Sequence, residues 1–138
     1  GCVSTKNLNQ EKAALYVEMS NSQIENNNLP AALKDLLTAQ SLDPKNPVVQ
    51  NNLGLVYFLR ERMELSEKHF KQAVKLAPNY TDARNNLARV YIEVGKYRLA
   101  DQELKIVLDD LTYSSQDKAY INLGLLHFNQ SKFQDASD

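Results

Sequence analysis

The words NNLGLVYF (residues 51–58), NNLARVYI (85–92) and INLGLLHF (121–128) recur at steps of 34 and then 36 residues. Recurrence at such a period means a chain built from one repeated supersecondary unit, each copy burying its apolar face on its neighbours. Setting the copies in register extends the pattern well beyond these words. Leu53-Gly54 is followed by Tyr57, Ser66, Phe70, Ala73 and Pro78, and Leu87-Ala88 by Tyr91, Ala100, Leu104 and Val107. Laid backwards from Pro44, the template meets Tyr16, Met19-Ser20, Ala32, Leu36 and Ala39; laid forwards it meets Leu123-Gly124, His127 and Ala136.

Helix, turn, helix over 34 residues, with small residues where two helices touch, resembles the tetratricopeptide repeat. That resemblance implies an all-α fold, a right-handed superhelix of helix-turn-helix units at about 13–46, 47–80, 81–116 and 117–138. Apolar residues at i, i+3, i+4 and i+7 predict helices near 12–26, 29–42, 47–60, 63–76, 81–94, 97–110, 116–130 and 133 onward. Gly54, Ala88 and Gly124 let each first helix approach its second, where Ala32, Ala100 and Ala136 stand opposite. Tyr57 and Tyr91 fill the gaps between units, and Pro44 and Pro78 close the second helices.

Two irregularities stand out. The stretch LDDLTYSSQDKAY (108–120) lengthens the last step by two residues and predicts a longer, less regular link there. The letters FQDASD end one turn into the fourth unit's second helix, so the sequence is expected to be part of a longer native protein, a naturally short fourth unit being the alternative.

Composition narrows the function. Net charge is −1, with Lys and Arg scattered among Asp and Glu, so the basic stripe of a nucleic-acid binder is missing. No run approaches the length of a membrane-spanning helix. The single cysteine, Cys2, excludes an internal disulfide framework and a thiolate metal cluster. Catalytic motifs are absent: His127 occupies the repeat's Tyr position and is expected in the core with one bonded nitrogen, and His69 is expected exposed on a second helix. The reading is therefore non-enzymatic, without catalytic residues, metal, cofactor or small-molecule substrate, and with a protein as partner.

In a stack of such units the first helices line an inner wall through unit positions 2, 5, 6, 9, 12 and 13. The candidates are Asn51, Asn52, Leu55 and Phe58 in the second unit, with Val48 and Leu59. The third supplies Asn85, Asn86, Arg89 and Ile92, with Asp82 and Glu93, and the fourth Ile121, Asn122, Leu125 and Phe128, with Lys118 and Asn129. Asn52, Asn86 and Asn122 form a ladder of amides, each able to donate and accept and so suited to a bound backbone. Phe58, Ile92 and Phe128 form a parallel apolar set. The alternative is that the asparagines satisfy neighbouring helices and the apolar residues pack under the next unit. The Lys–Asn pair with which some such domains hold a partner's C-terminal carboxylate is represented by Val17 and Asn21, and so lacks its Lys.

At the start, GCVSTKNLNQ (1–10) reads as the tail of a bacterial lipoprotein signal with Cys2 as the lipidation site and residues 1–12 as an unstructured tether. An accidental cysteine at the chain end is the competing reading. A lipidated Cys before these repeats resembles the pilotin lipoproteins of type IV pili. So does the passage 85–125, with its Asn-Asn opening, Gly95-Lys96-Tyr97 turn, Leu108-Asp109-Asp110-Leu111-Thr112-Tyr113 link and Ala119-Tyr120-Ile121-Asn122-Leu123-Gly124-Leu125. A Pro often seen before the link's Tyr is Leu111 here. The resemblance implies a periplasmic protein, held to the outer membrane by acyl chains alone, that binds a secretin and assists its localisation and assembly. A generic envelope adaptor and a cytosolic scaffold are the alternatives.

Overall fold

In the computed structural model the described residues run from 2 to 137, with side chains described for 4 to 132. They contain seven helices and no strand: α1 Cys2–Glu25, α2 Leu29–Leu42, α3 Pro47–Leu59, α4 Met63–Leu76, α5 Thr81–Glu93, α6 Tyr97–Asp109 and α7 Gln116–Ser137. Helices α1 with α2, α3 with α4, and α5 with α6 pack as hairpins, as the repeat register requires. The chain divides into two compact units, one of residues 1–78 and one of residues 79–138.

The hairpin turns explain the 34-residue period. Asn27, Glu61 and Gly95, each 34 residues after the last, are the residues with positive φ (58°, 61° and 81°). Each closes the first helix in the same way. Asn28 N–H donates to Gln23 O at 2.7 Å, Arg62 N–H to Tyr57 O at 2.8 Å, and Lys96 N–H to Tyr91 O at 2.8 Å. The residue before each donates to the carbonyl three back, completing a Schellman turn that satisfies carbonyls otherwise left open at a helix end. Pro44 and Pro78 fall just beyond the ends of α2 and α4, where they stop helix growth. Asn46 then starts α3 by accepting from the backbone N–H groups of Val48 (2.9 Å) and Val49 (3.4 Å).

In the first unit, Ala13, Val17, Leu29, Ala32, Leu36, Ala39, Val49, Leu53 and Val56 form one buried cluster across α1, α2 and α3. Leu36 and Leu53 are fully buried, each contributing about 1.5–3 kcal/mol by removal from water. Phe70 of α4 lies against Gly54 of α3, where an added β-carbon would stand 2.6 Å from the ring. Ser66 Oγ donates to the Gly54 carbonyl at 2.7 Å beside it. In the second unit Leu87, Val90, Tyr91, Ile92, Leu104, Val107 and Leu126 are buried.

Both ends depart from expectation. Helix α1 begins at Cys2, so most of the stretch read as an unstructured tether is helical. No Gly or Pro interrupts residues 3–25, and once Ala13 and Val17 anchor the helix each residue added N-terminally gains a hydrogen bond. Helix α7 runs unbroken to Ser137, where a turn and a second helix from 133 were expected. Ser131 stands where Gly95 makes the preceding turn, and a left-handed turn costs about 1–2 kcal/mol for a non-glycine residue unless following structure offsets it. Gly124 accordingly meets nothing within 4 Å, rather than an opposing helix. The side chains of Cys2 and Ala136 lie outside the described residues.

The lengthened link is a built feature. Six residues separate α6 from α7, against four between α2 and α3 and four between α4 and α5. Thr81 Oγ1 donates to Asp110 Oδ2 at 2.6 Å and Tyr113 O–H to Asp82 Oδ1 at 2.7 Å, tying the link to the start of α5. Gln116 Nε2 donates to Asp110 O at 3.0 Å and ties the start of α7 back to the link.

Candidate functional site

Asn52 and Asn122 do not offer a free ladder of amides. Asn52 Nδ2 donates to Asn21 Oδ1 at 2.7 Å and to Ser20 Oγ at 3.3 Å, joining α3 to α1. Asn122 Nδ2 donates to Asn85 Oδ1 at 2.9 Å and to the Asn85 carbonyl at 3.3 Å, joining α7 to α5. Asn51, Asn52, Asn85 and Asn122 are all buried, and Asn86 is half-buried. A side-chain amide buried between two helices must be hydrogen-bonded, and here the partner is the preceding first helix.

Ile92 is a correction. Read as part of an apolar row on the wall, it is 1% exposed and belongs to the core. Seven residues, two helical turns, separate it from Asn85, so both lie on one face of α5. That face packs on α7, as the Asn85–Asn122 bond shows. Ile121 and Phe128 hold the same two positions on α7 and are each 65% exposed, because no helix covers that face among the described residues. Asn51 and Phe58 hold them on α3, buried and half-buried respectively. On α5 these positions face the next first helix, α7, and not the wall.

What remains on the wall differs between the two units. In the first, α3 presents Val48 (38% exposed), Leu59 (46%) and half-buried Leu55 in a row beside Asn52. In the second, α5 presents Asp82, Asn86, Arg89 and Glu93, with Arg89 paired to Glu93 at 3.0 Å, and α7 presents half-buried Leu125. An open cavity of about 1200 Å³ lies at the foot of the first unit's wall, between Thr5, Lys6, Asn9 and Gln10 of α1 and the turn from Leu42 to Val48. Sequence reasoning missed it by starting α1 ten residues late; the uninterrupted run 3–25 was the signal.

The two histidines exchange their expected places. His69 is buried, stacks on Tyr57 at 5.4 Å, and shares a 2.7 Å hydrogen bond between Nδ1 and Gln50 Oε1. Gln50 Nε2 donates in turn to Gln40 Oε1 at 3.0 Å, so Nδ1 carries the proton and Gln50 Oε1 accepts it. Burial, and secondarily the Lys68 charge, hold the His69 pKa below its ordinary value. His127, by contrast, is exposed. Burial, with the Asp82 hydrogen bond and charge, raises the Tyr113 pKa well above the usual phenol range, while Thr112 and Thr81 lower that of Asp110. Among the described residues no His, Cys, Asp or Glu group is arranged to hold a metal, and no helix is long and apolar enough to cross a membrane.

Residues 47–109 match the tetratricopeptide repeat family. Protein O-mannosyl-transferase TMTC3 of Homo sapiens is 29% identical over 123 residues, which cover 88% of this chain and 13% of that protein. Type IV pilus assembly protein PilF of Pseudomonas aeruginosa is 24% identical over 142 residues, covering 96% of this chain and 56% of PilF. The chain thus spans a small part of the first and little more than half of the second. The solved structure of P. aeruginosa PilF superposes with a TM-score of 0.82 at 21% identity, over 90% of this chain and 56% of that one. The first repeat domain of Spaghetti (RPAP3), bound to the HSP90 peptide SRMEEVD, does so with a TM-score of 0.79 at 21% identity, over 88% and 95%. At such identities the likeness speaks for fold. Residues 47–109 match tetratricopeptide repeats, and the chain has the tetratricopeptide-repeat fold.

Proposed function

We propose that the protein is a non-enzymatic adaptor that holds a segment of a protein partner against the first-helix wall. The carrying observation is the row of Val48, Leu55 and Leu59, left uncovered on a helix whose other faces are packed. Apolar surface flanked by a few fixed polar groups is what a binding site needs. RPAP3, which has the same fold, holds a peptide.

The finer reading is a lipid-anchored outer-membrane protein of the periplasm that helps a secretin reach its membrane and assemble during type IV pilus biogenesis. Its support is the likeness to PilF across 96% of this chain, the 36-residue third step, and Cys2 ahead of the repeats. Two acyl signals suffice for stable anchoring. Two measurements on the full-length precursor test the reading. Cys2→Ala is expected to release the protein from the membrane fraction, and Leu55→Ser to abolish co-purification of the secretin. Sedimentation of Cys2→Ala with membranes would remove the anchor, and secretin capture unaffected by Leu55→Ser would remove the wall as its site. An adaptor for another envelope protein shares the wall, and is the reading left if Cys2→Ala is released while no secretin co-purifies.

A further inference from the structure

The amide bond from Asn52 to Asn21 fixes which side chains of α1 and α3 share the wall of the first unit. On α3, Val48, Leu55 and Leu59 lie four before, three after and seven after Asn52, on one face. On α1, Glu18 and Glu25 lie three before and four after Asn21, on the face turned to the same side. Both carboxylates are exposed, and neither takes part in an ion pair among the described residues. Helix α3 itself carries no charge from Pro47 to Leu59. Arg60 follows Leu59 but lies with Pro30, Leu33 and Lys34 of α2. Lys12 stands about two and a half turns before Asn21, on the opposite face of α1, and Lys6 and Lys45 line the cavity at the foot of the wall. The wall therefore has two parallel strips, apolar on α3 and acidic on α1.

We propose that this wall takes a basic amphipathic segment of the partner, its apolar side chains on Val48, Leu55 and Leu59 and its Lys or Arg side chains toward Glu18 and Glu25. The inference rests on the protein-partner reading above and adds the sign of the partner's charge. Seven residues of helix separate the two carboxylates, about 10 Å, so cations two turns apart on a helical segment reach both. An acidic segment placed in the same groove would bring like charges together beside an apolar surface, which disfavours it.

The test uses the full chain and two synthetic 14-residue peptides, one with a leucine face flanked by lysines, the other with each lysine replaced by glutamate. Binding is followed by fluorescence anisotropy at low and high salt. The lysine peptide is expected to bind, with Kd rising about three- to fivefold for each of Glu18→Gln and Glu25→Gln, and rising with salt for the unmodified protein. Val48→Ser, at an exposed position that leaves the core intact, and Leu55→Ser are each expected to raise Kd about tenfold. Equal binding of both peptides, still lost in Val48→Ser, overturns the charge assignment and leaves the wall standing. Binding of the lysine peptide unchanged by Val48→Ser and Leu55→Ser, or no binding of either peptide, overturns this inference together with the wall.

Discussion

The Phe70 ring lies where a β-carbon on residue 54 would have to be, with Cδ1 only 2.6 Å from that position. Phe70 is 1% exposed and has no room to withdraw, so the glycine sets how closely α3 and α4 approach. Gly124 stands at the same place in the repeat and meets nothing. Gly54→Ala is therefore expected to destabilise the fold by about 1–3 kcal/mol through overpacking. Gly124→Ala is expected to stabilise it by as much as about 1 kcal/mol through helix propensity alone. Urea unfolding of the two variants checks the pair, and equal losses at both sites would refute the assignment of Gly54 to a helix contact.

Glu61 makes its turn with a φ of 61°, the conformation that Gly95 adopts without strain. A side chain in this region costs about 1–2 kcal/mol, partly offset because glycine loosens the unfolded chain. Glu61→Gly is expected to raise stability by about 0.5–1 kcal/mol, and Gly95→Ala to lower it by about 1 kcal/mol. Thermal melts of both variants measure this; a fall in Tm for Glu61→Gly would show that the turn draws its stability from the glutamate side chain.

Acid sensitivity follows from His69. Its folded pKa is held below the ordinary value of 6.5, chiefly by burial. The folded state thus binds the proton less readily than the unfolded one, and stability rises with pH across the interval. The contribution is complete above about pH 6.5 and is lost as pH falls from there through the folded pKa. Asp110, lowered from 3.8 by Thr112 and Thr81, acts in a separate window below that value. Melting at pH 7.5 and pH 5 is expected to show a drop that His69→Gln reduces. An unchanged drop in the variant would assign it to other groups.

Much of the fold was legible because each unit repeats the same close contacts. Small residues at 54, 88 and 124 and at 32, 66 and 100, Tyr57 with Tyr91, and Pro44 with Pro78 recur in register, and the Schellman turns at 27, 61 and 95 keep the period at 34. The link of six residues was legible as a break in that period. The wall was less legible, because residues two turns apart on a first helix share a face whatever covers it. Asn85 and Ile92 read as wall residues until α7 is seen to pack on them, and the pattern of polar followed by apolar carries no sign of which neighbour is present. His69 and His127 misled for the same reason: burial depended on the helix opposite, not on the residue's own segment. The long α1 was readable from its lack of breakers, although the repeat pattern itself reaches back only to Ala13.

At the asparagines, structure and recognition can be separated by mutation. Asn122 sits 5% exposed and donates from Nδ2 to both the carbonyl and Oδ1 of Asn85. Replacing it with alanine leaves the Asn85 Oδ1 acceptor, in a residue 4% exposed, without this donor. An unmet buried acceptor costs about 1–3 kcal/mol. Asn52→Ala is expected to cost less, about 0.5–1.5 kcal/mol, because its main acceptor belongs to Asn21, which is exposed and can turn to water. Both losses are expected in folding, measured by urea unfolding, with partner affinity at low temperature changed by less than about twofold. An Asn122→Ala variant of undiminished stability that loses its partner would return this amide to the binding surface. A double variant with Asn85→Ala supplies the control: removing both halves of the pair is expected to cost less than the sum of the two single losses, since neither group is then left unmet.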